Sequence, residues 1–294
     1  MARLHSTTRP AVARGGFTLI ELMIAVLIIS ILATLVTLGV SKAMSYAKQV
    51  ATKTEMGQIE QALGVAAIEM GRVPYIPSAI VLKKIPSLYG TSTLDSLSKR
   101  VLTQMFPKWT DAVPASWPEV TLGPDQAYIF FLRGIDGSGF SASAQDPCAS
   151  GGKRFGPYFE FKANRLVPGN GGLPKYKDYW ENSNAHLIVY SQMMVGQPTF
   201  NASNIYDGKF DEISGYPRRQ IQAFNPATKV GKYFMPKGYQ IFSAGKDGGW
   251  GTYPDNLPAP GNPPANVFNG LLLGLGEDDQ SNFADEPHGK PIND

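Results

Sequence analysis

From Phe17 to Val40 the chain reads FTLIELMIAVLIISILATLVTLGV, apolar throughout except for a few hydroxyls and the carboxylate of Glu21. At a rise of ~1.5 Å per residue, a helix of that length just reaches across a hydrocarbon core of ~30 Å, so the segment is predicted to span a membrane. An ionised carboxylate inside such a span costs at least ~2.5 kcal/mol on insertion scales. Glu21 therefore needs a partner and a role.

The residues in front of the run narrow what that role is. Residues 1–16, MARLHSTTRPAVARGG, carry Arg3, Arg9 and Arg14 and no acid, which under the positive-inside rule places the N-terminus in the cytoplasm. A secretory signal would end in a small-residue cleavage site after its apolar part, and none closes this run. Gly15-Gly16 instead leaves an open stretch before the helix that a peptidase could enter.

GGFTLIELMIAVLIISILATL resembles the N-terminus of type IV prepilins and type II secretion pseudopilins, with glycine at the cleavage site, phenylalanine first in the mature chain and glutamate fifth. The resemblance implies cleavage between Gly16 and Phe17 by a membrane prepilin peptidase, N-methylation of Phe17, and pairing of Glu21 with the N-terminal amine of a neighbouring subunit during assembly. That pairing is physically sensible, because charge attraction strengthens in a medium of low dielectric and a mispaired subunit strands its charge. An inner-membrane platform with its cytoplasmic ATPase, minor pseudopilins, lipid and further copies of the chain are the partners it implies.

Beyond Val40 the helical period persists, with Ile59, Ala62, Leu63, Ala66, Ala67 and Met70 three and four apart, until Gly71 and Pro74 stop it. The opposite face, carrying Lys42, Lys48, Lys53, Glu55, Glu60 and Glu69, is expected to be solvated or to face a subunit. LDSLSKRVLTQMF suggests a short helix, and Trp109 and Trp117 suggest packing. Residues 126–134, 157–166, 185–193 and 238–245 read as strands, while 135–156 and 199–232 read as long loops. The expected fold is α+β, a long N-terminal helix packed on an antiparallel sheet, pilin-like. Its expected divisions are a leader (1–16), a membrane span (17–40), the outer half of the helix (41–73) and a globular domain (74–294).

The C-terminal stretch carries the densest oxygen chemistry. YQIFSAGKDGGWG is followed, after a proline-rich segment, by LGEDDQSNFAD. Glycine-bearing turns with carboxylates suit hard cations, although Asp-Gly also simply favours β-turns. Ser243, Asp247, Asp278 and Asp279 supply oxygen ligands at two chain-distant points within 238–285, and the stretch resembles the calcium-binding C-terminal loop of the major pseudopilin of type II secretion, which implies Ser243, Asp247 and Asp279 among the ligands. It departs from that family by a longer intervening segment and by Asn282-Phe283 where Asn-Trp is usual; Asp255 is a weaker candidate.

Other classes find little support. A net charge of +3 with scattered Lys and Arg offers no stripe for nucleic acid. The single Cys148 excludes an internal disulfide and thiolate zinc sites. His186 lies in an apolar run, suiting a core histidine better than a base, and no catalytic motif occurs, so no enzyme activity is expected. The sequence thus suggests a secretion pseudopilus subunit, with a type IV pilus or minor pilin subunit as the alternative, and a membrane-tethered hydrolase or carbohydrate-binding module behind both.

Overall fold

The computed structural model describes residues 16–71, 76–180, 186–191, 199–201, 221–225, 230–233, 238–246, 248 and 280–281. The chain divides into two compact units, 1–47 and 48–294. The predicted helix is present as α1, Leu19–Glu69.

In the first unit, α1 is apolar and exposed: Leu22, Met23, Leu27, Ile31 and Leu35 all lie open. The hydroxyls among them turn back onto the helix, Ser30 Oγ to Val26 O (2.8 Å), Thr34 Oγ1 to Ser30 O (2.9 Å) and Thr37 Oγ1 to Ala33 O (2.8 Å). These three hydroxyls need no water, as a lipid environment requires. Among the described residues α1 is the one helix long and apolar enough to cross a membrane.

In the second unit the rest of α1 buries Met56, Ile59, Leu63 and Ala66, and Met70 just after it is buried too, the face the spacing predicts. Gly71 follows at φ 87°, where an added Cβ would lie 2.4 Å from Gln104 O. Short strands β1 (Ile80–Leu82) and β2 (Val120–Leu122) pair antiparallel. Between them lies α2 (Thr93–Met105), whose Ser92 cap accepts the Asp95 N–H. α2 matches the short helix expected from the sequence. Trp109 and Trp117 pack edge to face at 5.1 Å, and their indoles donate to Lys84 O (3.0 Å) and Lys83 O (2.9 Å). Phe106, Phe130 and Phe140 complete the aromatic core. A buried side chain of this size contributes about 1.5–3 kcal/mol.

Residues 126–134 are a correction. They form not a strand but helix α3 (Ala127–Arg133), buried along its apolar residues. A short continuous apolar run does not distinguish a buried helix from a buried strand; here a turn at Pro124–Gln126 starts it and Gly134, at φ 73°, ends it.

Within 135–156, strands β3 (Phe140–Ser141) and β4 (Arg154–Phe155) pair. Arg154 ties the turn by donating to Ser138 O (2.6 Å), Gly139 O (2.7 Å) and Ala149 O (2.8 Å). Cys148 is half-buried there and in no disulfide. Residues 157–165 are not a strand: a 3-10 turn at Ala163–Arg165 leads into β5 (Leu166–Pro168), which pairs with β6 (Pro174–Tyr176). β7 (Ile188–Ser191) fulfils the third strand expectation. Residues 199–232 are not all loop, since β8 (Thr199–Asn201), β9 (Ile221–Asn225) and β10 (Val230–Tyr233) form a sheet in the order β8-β10-β9. β11 (Tyr239–Ser243) lies between β7 and β12 (Gln280–Ser281). The architecture is α+β and pilin-like: a long N-terminal helix followed by small antiparallel sheets.

Candidate functional site

Two places gather the residues singled out by the sequence. Gly16 and Phe17 precede α1 outside any regular element, with Phe17 89% exposed. Thr18 is the residue before the helix, and Glu21 stands in the first turn. The two close a reciprocal cap: the Glu21 N–H donates to Thr18 Oγ1 (3.3 Å), and the Thr18 N–H donates to Glu21 Oε2 (2.8 Å). Thr18 Oγ1 also donates to Oε2 at 2.8 Å. This is the T-x-x-E capping box, which satisfies orphan donors at a helix start. Sequence reasoning assigned Glu21 to a neighbour's amine and overlooked Thr18, although the spacing of Thr18 and Glu21 carries the signal. Both bonds use Oε2. A carboxylate has about four acceptor positions, so the cap leaves capacity for a cation.

The second place is the end of β11. Of the predicted calcium ligands, Asp247, Asp278 and Asp279 lie outside the described residues, as do Asp255, Asn282 and Phe283. Ser243 is fully buried, and its hydroxyl donates to Asp178 Oδ2, a residue the sequence had not marked. The Gly245 N–H donates back to Ser243 Oγ at 3.2 Å. Asp178 Oδ1 accepts the Trp180 N–H at 2.8 Å. Burial pushes the Asp178 carboxyl up to about 7, against the pull of Ser243, Trp180 and the Arg165 charge. Among the described residues no three His, Cys, Asp or Glu side chains are grouped to hold a metal.

Asp178 adjoins a buried ionic network. Arg165 grips Glu55 of α1 with two parallel bonds, Nη1 to Oε1 (2.9 Å) and Nη2 to Oε2 (2.5 Å). Tyr176 OH donates to Glu55 Oε1 at 2.9 Å, and Arg165 Nε donates to Lys177 O at 2.9 Å. The guanidinium lies over the rings of Tyr176 and Tyr179, 4.3 and 4.1 Å from their centroids. Glu55 is thus not on a solvated face, as its charge suggested; it is 5% exposed. Its place beside Met56 and one turn from Ile59, on the apolar stripe, was the available clue. His186 is half-buried, bridged across to Lys177 rather than set in the core.

Comparison with curated proteins and with solved structures finds no match. A protein-family model, the prokaryotic N-terminal methylation motif, matches residues 13–37. That span includes the Gly16-Phe17 junction and the Thr18–Glu21 cap, so the chain carries the prepilin-type signal of type IV pilin-like proteins at its N-terminus.

Proposed function

We propose that this chain is a structural subunit of a type II secretion pseudopilus, supporting protein secretion across an outer membrane. Prepilin peptidase removes residues 1–16, and the new amine of Phe17 is methylated. The span 17–40 holds the subunit in the inner membrane, with residues 41–73 and the globular domain 74–294 on the periplasmic side. During assembly Glu21 receives the amine of a neighbouring copy, while minor pseudopilins, the membrane platform and its ATPase initiate and drive polymerisation.

The observation that carries this reading is the Thr18–Glu21 cap on an exposed apolar helix, directly after the Gly16-Phe17 junction. A carboxylate held at the helix start by its own chain faces membrane without losing its hydrogen bonds. A neighbour's ammonium then adds a charge-assisted contact, of the stronger kind. The methylation motif supports a filament-forming subunit in general, and the secretion pseudopilus is the finer reading. The C-terminal resemblance favours the major pseudopilin and, with it, structural calcium. The β8-β10-β9 sheet, built within a region that sequence alone read as a loop, favours the alternative of a pilus or minor pilin subunit with an added surface.

Native-level expression with cell fractionation and antibody labelling separates the two. Periplasmic retention with loss of protein secretion on deletion supports the pseudopilus; surface filaments with secretion intact overturn it. Catalytic turnover by the purified domain would point to the tethered hydrolase.

A further inference from the structure

We draw no further inference here: the strongest candidate, the exposed face of the outer half of α1 that carries Val50, Val65 and Ile68 beside Gly57 and Gly64, adds nothing to the subunit packing already proposed, and nothing in the structure shows what covers it.

Discussion

Arg165 meets Glu55 through two parallel hydrogen bonds, 2.9 and 2.5 Å long, across a separation of 110 residues in the chain. The pair fixes which turn of α1 the β5-β6 hairpin faces, because sliding the helix by one residue would carry Glu55 away from the guanidinium and from the Tyr176 hydroxyl. Removing one partner leaves the other charge buried and unpaired, which costs about 3–5 kcal/mol. Glu55→Ala should therefore lower the denaturation midpoint sharply. Glu55→Met with Arg165→Met should cost less than Glu55→Ala alone, since no buried charge remains. Chemical denaturation of the three variants checks this, and a double variant worse than the single one would contradict it.

Glu21→Gln separates capping from charge. Glutamine still accepts the Thr18 N–H at the third helical position, so the first turn of α1 should stay formed while incorporation into filaments falls. Glu21→Ala should lose both. Amide exchange at the helix start, read beside the assembled fraction in sheared filaments, tells them apart. Normal assembly of Glu21→Gln would remove the amine-pairing role.

Thr18→Val removes the hydroxyl and leaves Glu21 charged. It should fray the first turn by about 1 kcal/mol, the usual worth of an N-cap. The midpoint of the globular domain, measured by thermal melt, should stay where it is.

Gly134 ends α3 at φ 73°, ψ −170°, with its N–H on Phe130 O. That backbone region is essentially confined to glycine, and a Cβ there would stand 2.4 Å from Gly139 O. Gly134→Ala should destabilise by about 1–3 kcal/mol or more, whereas Gly151→Ala, with open space around it, should cost less despite its own positive φ. Paired melts decide.

Processing gives a fifth test. The intact mass of the membrane-extracted chain should show loss of residues 1–16 and addition of one methyl. Gly16→Leu, which crowds an otherwise open position, should leave the leader attached. Retention of residues 1–16 in wild type would refute cleavage at Phe17.

What was legible in the sequence followed its periodicity. The 3.6-residue pattern located α1 and its buried face through Met70, and the short β-branched and aromatic runs located β7 and β11. The run AYIFFLR defeated the same logic because it is buried on every side, so neither period shows. Glu55 was misread because charge usually marks solvent, and its partner lies far along the chain. Asp178 gave no local signal at all: it matters through Ser243, 65 residues away. The Glu21 cap, by contrast, was written in four adjacent residues and was obscured by the stronger expectation of a partner subunit.

Cys148 sits with its N–H on Asp146 Oδ1 at 2.9 Å, and burial, aided by the Asp146 and Asp136 charges, pushes its thiol up to about 12. At neutral pH the thiol therefore stays protonated, whereas the thiolate is the form that attacks disulfides or meets oxidants. A chain so built carries sulfur that is slow to react, and so avoids accidental covalent linkage through it.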